Sequence, residues 1–285
     1  MTLGIFAKTF VRSTFTECFD AVAAQGVRCV QFNFACAGVP TLPDELTAGF
    51  VDQIRREADA RQIAIAAVSG TCNLIHPDRR QRTANLNRLS VAAWGGRRLG
   101  AQILTLCTGT RDPEDMWRRH PDNDSPAAWK DLLRALTGAL IFAEQLDVTF
   151  GIEPEIGNVI DSPFKARRLL DELKSPRVKI IMDAANLFRP GDLPRQRDIM
   201  EQAFALLGSD IGLAHAKELG PDGLAGHLAL GAGTLDWAHY LALLRQANFT
   251  GPLIMHGFAE RDAAASTAFL RGLGCSTLVR AIEPE

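Results

Sequence analysis

The chain has 285 residues, 47% hydrophobic and 22% charged, with a formal net charge of −2. This is the balance of a globular protein with room for one sizeable core or two small ones. So small an acidic excess carries no footprint for a phosphate backbone, and no apolar run approaches the roughly 20 residues that span a bilayer, so neither nucleic acid nor membrane is expected as a partner.

Short runs rich in branched residues alternate with longer segments of helical period. LGIF (3–6) leads to a helical stretch from Thr16 to Gln25, CVQF (29–32) to Asp44–Gln62, IAIAAV (63–68) to Arg80–Leu99, and QILTL (102–106) to Pro126–Leu146. VTFGI (148–152) leads to Pro163–Leu173, VKIIM (178–182) to Pro194–Leu207, IGLAH (211–215) to Asp236–Ala247, and PLIMH (252–256) to a closing helix from about Ala263. Start signals support several helices. In DSPFKARRLL, Asp161 or Ser162 caps and Pro163 takes the first turn, and SPAAW and GTLDW repeat the logic.

Eight strand-then-helix units without a linker between halves predict one (β/α)8 TIM barrel over residues 1–285, because parallel strands need helical crossovers and closure removes edge strands. A doubly wound open sheet is the alternative. It usually announces itself by a glycine-rich turn after the first strand, where this chain reads AKTFVRS. Six cysteines, at 18, 29, 36, 72, 107 and 275, form no C-x-x-C pair. Reduced, mostly structural thiols and a cytoplasmic location are expected, since MTLGIFAKTF lacks the features of a secretion signal.

Barrel enzymes build their sites at the carboxyl ends of the strands. Here those ends carry Asn33, SGTCNLIHP, CTGTRDPEDMW, EPE, DAAN, HAKE and HGFAE. Glu153, Asp183 and His215 stand at the ends of the fifth, sixth and seventh strands, and His256 holds the equivalent place on the eighth. Singly, a carboxylate at a strand end is usually solvated and a histidine in an apolar run is usually a satisfied core residue. Four at matching register on neighbouring strands are not independent, and two carboxylates with two imidazoles suit a divalent ion such as Mn, Mg, Co or Zn.

With these motifs in place, the sequence resembles the xylose isomerase-like barrel superfamily of sugar isomerases, ketose 3-epimerases and hydroxypyruvate isomerase-like proteins. The resemblance is carried by GIEPE, IMDAANLF, AHAKE, LGAGTLDW and GPLIMHGFAE in that order. It implies metal binding by Glu153, Asp183 and His215, with Glu153 also a base. Ketose epimerases of that family have a second glutamate, also a proton carrier, where this chain has His256, and a histidine ligating through one nitrogen cannot use that lone pair as a base. Glu260, four residues on, is the lower-ranked fourth ligand. Asn186 stands where such epimerases commonly have a second histidine; it can bind a hydroxyl but not exchange protons.

Lys217 is a candidate to polarise a carbonyl or hold a carboxylate, against the reading of a snorkelling surface lysine. His76 is a candidate proton donor, or else a helix cap. Glu155, on the same side of an extended chain as Glu153, is expected to orient a ligand or bind substrate, as are Asn33 and Asn186. RDPEDMWRRHPDNDSP reads as a lid over the fourth strand, with Trp117 as an apolar wall and Arg111 or Arg118 for an anionic group; a solvated loop is the plainer reading. The glycines of LGAGTLDW suggest either a phosphate seat or only a tight turn.

The expected activity is therefore isomerisation or epimerisation of a small polyhydroxylated carbonyl compound (a sugar, ketose, inosose or hydroxy-keto acid) through an enediolate formed by Glu153, with Lys217 or His76 returning the proton. The alternative is a metal-dependent lyase or dehydratase. A DNA-repair nuclease of the endonuclease IV type needs more histidines and basic contacts than six histidines in a slightly acidic chain provide. Apolar candidates near Trp94, Trp129 and Phe204 leave homo-oligomerisation open, since each also suits a helix–barrel contact.

Overall fold

The computed structural model describes residues 1–276. Its strands β1 (Thr2–Phe6), β2 (Cys29–Phe32), β3 (Ala64–Ser69), β4 (Ile103–Leu106), β5 (Thr149–Ile152), β6 (Val178–Asp183), β7 (Ile211–Ala216) and β8 (Pro252–Met255) are all parallel, pair in chain order, and close where β1 meets β8. The helices α1 (Phe15–Ala24), α2 (Ala48–Ala60), α3 (Arg79–Arg98), α4 (Pro126–Leu146), α5 (Pro163–Leu173), α6 (Gln196–Leu207), α7 (Trp237–Gln246) and α8 (Ala263–Gly272) follow the strands in turn. The fold is the expected (β/α)8 TIM barrel.

The helix starts follow the capping chemistry. Ser125, Ser162 and Asp236 accept from the backbone N–H three residues on, opening α4, α5 and α7. Asp161, the other candidate cap for α5, instead pairs with Arg119, Lys165 and Arg189. α2 begins later than the expected Asp44, because Thr47 accepts from Phe50 N–H and fixes the start there. α6 begins at Gln196 after a 3-10 turn over Leu193–Arg195 that holds Pro194.

Side chains alternate across each strand, and this period of two sorts the barrel interior into layers. A lower apolar layer contains Cys29, Ala67, Ile181, Leu213 and Ile254, with Ile103 packed against it. Gly4 and Gly151 belong to the same level: a Cβ at Gly4 would meet Ile254 Cδ1 at 2.5 Å, and one at Gly151 would meet Ile181 Cγ1 at 2.8 Å. Two residues further along the strands, the row becomes Gln31, Ser69, Thr105, Glu153, Asp183, His215 and His256. The polar layer therefore sits directly on an apolar floor, at the carboxyl-end mouth.

The helices cover the outer faces of the strands. Trp129 and Phe204, weighed as oligomer contacts, are buried within the chain. The Trp129 indole N–H donates to Glu172 Oε2, and the Arg168 guanidinium lies 4.0 Å from its ring centre. Trp94 is partly buried against the core. All six cysteines are free, and burial pushes the Cys29 and Cys72 thiols up to about 12. No helix among the described residues is long and apolar enough to cross a membrane.

Candidate active site

Glu153, Asp183, His215 and His256 each offer a ligand atom, and these atoms all lie within 4.8 Å of one another. The strand register accounts for the convergence: Asp183 pairs with His215 across β6 and β7, and His256 follows β8, donating its backbone N–H to Ala216 O. Tyr240 of α7 clamps the same two strands from outside, its hydroxyl 2.8 Å from Met182 O and 3.0 Å from His215 O.

The contacts within the group are specific. His215 Nδ1 lies 3.1 Å from Glu153 Oε1, and His256 Nε2 lies 3.2 Å from Asp183 Oδ2. The two imidazoles face each other with centroids 4.3 Å apart. Asn186 Nδ2 donates to Glu153 Oε1 at 2.9 Å, while Lys217 Nζ donates to Asn186 Oδ1 at 2.6 Å and lies 3.0 Å from Asp183 Oδ2. Glu153, Asn186, Lys217 and Asp183 thus form one connected network.

Charge balance follows from burial and these neighbours. Burial by itself raises the Asp183 carboxyl, but Lys217 and the His256 hydrogen bond outweigh it and hold Asp183 well below the usual carboxylate range. Burial lowers the Lys217 ammonium, and Asp183, Glu153 and Glu155 together overcome this and raise it. Glu155 is pushed up to about 8 by burial and the Glu153 charge, against the pull of Lys217. Burial and His215 push His256 down, so its imidazole is neutral near pH 7 and retains a lone pair.

These features fit a divalent ion. Two carboxylates and two imidazoles form a mixed oxygen and nitrogen donor set, and with Lys217 charged and Glu155 protonated the pocket keeps a net negative charge. Among the described residues this is the one such group of histidine, cysteine, aspartate and glutamate.

The other expected site residues are placed differently. Glu260 pairs with Arg12 at a part-exposed position, and the fourth donor of the group is His256. His76 spends both ring nitrogens on its loop: Nδ1 accepts from Asp78 N–H and Nε2 donates to Pro113 O. The cap of α3 is Asp78, which accepts from Arg80 N–H, so His76 braces the turn before the helix instead of capping it, and no proton-returning role is assigned to it. Arg111 binds Asp131 Oδ2 at 2.7 Å and Ile75 O at 2.9 Å, so its guanidinium is committed to the α3–α4 side and is not free for an anion. Arg118 closes on Asp112 and Glu114 of its own segment. Asn33 Oδ1 accepts from Ala35 N–H and Thr41 Oγ1, shaping the turn after β2.

The segment after β4 is tied down rather than loose. Asn123, buried, accepts from Arg111 N–H and Thr110 Oγ1 and donates to Gly157 O. The backbone of Trp117 passes so close to Gly157 that a Cβ there would overlap Trp117 O. The Trp117 side chain remains 49% exposed.

LGAGTLDW proves to be a carboxylate cradle built for the protein's own Glu218. Its two oxygens accept from the backbone N–H groups of Leu219, Gly231 and Leu235 and from the Trp237 indole, at 2.6–3.2 Å. A Cβ at Gly233 would overlap the Glu218 side chain. The donors that a phosphate would need are therefore occupied by Glu218.

Gln31, Ser69 and Thr105 were not singled out from sequence, yet Gln31 Oε1 lies 2.9 Å from His215 Nε2, and its Nε2 donates to Ser69 Oγ and Thr105 Oγ1. The signal was available: each stands at the register of the polar layer, and Gln31 precedes Asn33 by two residues.

A family model described as xylose isomerase-like TIM barrel matches residues 19–273. No curated protein matches the chain. Among solved structures, the 3-keto-D-glucoside 4-epimerase of E. coli aligns with a TM-score of 0.73 at 17% identity, over 95% of this chain and 99% of that one. A D-psicose 3-epimerase, solved in the presence of D-fructose, gives 0.74 at 18% identity over 95% and 99%. The D-psicose 3-epimerase of Clostridium cellulolyticum H10, solved with D-tagatose, gives 0.74 at 16% identity over the same shares. At such identities the likeness is one of fold.

Proposed function

Since the chain belongs to the xylose isomerase-like TIM barrel family, we propose that it is a divalent-metal-dependent isomerase or epimerase of a small polyhydroxylated carbonyl compound. The observation that carries this reading is the convergence of Glu153, Asp183, His215 and His256 within 4.8 Å at the barrel mouth, with Lys217 bound to the same carboxylate network. The names of the similar structures, all three sugar epimerases, support the substrate class.

Glu153, Asp183, His215 and His256 would hold the ion, and when bound it would polarise adjacent oxygens of the substrate. Glu153 removes the proton next to the carbonyl. Its Oε1 accepts from Asn186 Nδ2, so the base role falls to Oε2. Lys217, kept protonated by the surrounding carboxylates, stabilises negative charge developing on a substrate oxygen. Glu155, raised to about 8 by burial and the Glu153 charge, can donate a hydrogen bond to a substrate oxygen, and Lys217 is the group left to return the proton. His256 cannot fill that place while its lone pair is a ligand.

The test is metal analysis together with turnover of ketoses, inososes and hydroxy-keto acids in deuterated water. Solvent deuterium should enter the substrate without loss of water or carbon, and Glu153→Gln should lower the exchange rate by about 10²–10⁴-fold. A wild-type protein that takes up no Mn, Mg, Co or Zn would refute the reading. Release of water or a fragment would make it a lyase.

A further inference from the structure

A neutral imidazole has one N–H, and whichever nitrogen carries it cannot ligate. His215 places Nδ1 toward Glu153 Oε1 (3.1 Å) and Asp183 Oδ2 (4.0 Å), and Nε2 toward Gln31 Oε1 (2.9 Å). The amide orientation of Gln31 therefore decides what His215 offers to the site. With the oxygen toward His215, an Nε2–H is required, and Nδ1, on the Glu153 and Asp183 side, is the nitrogen left for a metal.

Counting donors favours the first orientation. Gln31 is buried, and its amide nitrogen lies 3.2 Å from Ser69 Oγ and 3.3 Å from Thr105 Oγ1. Both amide hydrogens thus have acceptors, and the oxygen has the His215 N–H. Turned by 180°, the amide would give one hydrogen to His215 Nε2, and the contacts of Gln31 include no acceptor for the other. An orphaned buried donor disfavours that arrangement by on the order of tenfold or more in population.

We propose that Gln31, held by the Ser69 and Thr105 hydroxyls, is a positioning residue that fixes His215 as its Nε2–H tautomer and reserves Nδ1 for the metal. In its second half this rests on the metal-site reading above. The three props come from β2, β3 and β4, on the opposite side of the barrel from β6, β7 and β8, so half the barrel serves to orient a ligand carried by the other half.

The tautomer is measured directly, without metal or turnover, by long-range proton–nitrogen NMR of ring-labelled histidine, with His215 assigned by its loss in His215→Asn. Wild type should show a hydrogen on His215 Nε2, whether or not Nδ1 also donates to Glu153 Oε1 in the metal-free protein. Gln31→Leu should lose this preference, and calorimetric Mn²⁺ affinity should fall about 10–100-fold. Gln31→Glu, which still accepts from Nε2–H, should retain both. Should Gln31→Leu fail to fold, Ser69→Ala combined with Thr105→Val frees the amide to turn and should shift the same resonances. A wild-type His215 with no hydrogen on Nε2, or an unchanged His215 in Gln31→Leu, overturns the assignment. A shifted tautomer with unchanged Mn²⁺ affinity overturns its link to the metal. If wild type binds no Mn²⁺, the metal reading fails, while the metal-free spectra still decide the role of Gln31.

Discussion

Replacing Lys217 by methionine removes the ammonium that neutralises Asp183 while keeping most of the side-chain volume. The pair is well buried, with side-chain exposures of 12% and 1%, and Nζ lies 3.0 Å from Asp183 Oδ2. At an effective dielectric of about 20 the attraction at that distance is about 5.5 kcal/mol, and leaving one partner of a buried pair uncompensated typically costs about 3–5 kcal/mol. At about 2 °C per kcal/mol for a domain of this size, the metal-free variant should melt about 6–10 °C below wild type. Calorimetry or fluorescence-monitored melting measures this.

Two further readouts test the cause. Asp183 has a folded pKa below its unfolded value, so its contribution is present above the unfolded value and lost as pH falls through the folded one. Without Lys217, burial raises the Asp183 pKa, and the acid-side loss of stability should begin at higher pH. Saturating Mn²⁺ should raise the melting temperature of Lys217→Met more than that of wild type, because the ion supplies the missing charge and binds a more negative pocket. A metal-free variant that melts with wild type would sink the compensation argument; an equal metal-induced increment would separate Lys217 from the ion's site.

Glu155 has a folded carboxyl raised to about 8, so in the metal-free protein it contributes stability that is full below about pH 4.5 and lost as pH rises through about 8. Glu155→Gln should flatten the melting profile across that window, and identical slopes would contradict the burial of that carboxyl. Glu218→Ala strands three buried N–H donors at about 1–3 kcal/mol each, with a fourth part-buried one at Gly231, so equilibrium denaturation should show a loss of about 3 kcal/mol or more and a changed Trp237 emission. A loss under about 1 kcal/mol would mean that the loop finds other acceptors.

The barrel was legible because its signals are local. Branched runs, helical periods and caps such as Ser125, Ser162 and Asp236 act over a few residues, and eight repetitions leave few topologies. Asp183, His215 and His256 were legible for a related reason, since strand ends at equal register face the same mouth. Loop residues were harder to read. The side-chain chemistry of His76, Arg111 and Asn33 suits substrate, but each is used by partners that sequence does not place beside it: Pro113 and Asp78, Asp131, and Thr41 with Ala35.

The sequence by itself determined the order of elements, the period that turns Glu153 and Asp183 inward, and the stock of donors at the mouth, because these depend on residues a few positions apart. Only the tertiary structure decided how those donors are balanced and aimed. That Glu218 fills its own loop, that Lys217 neutralises Asp183, and that Gln31 meets a histidine 184 positions away are facts of distance through space. Hydrogen bonding and charge compensation act over a few ångströms, and chain separation carries almost no information about which groups come that close.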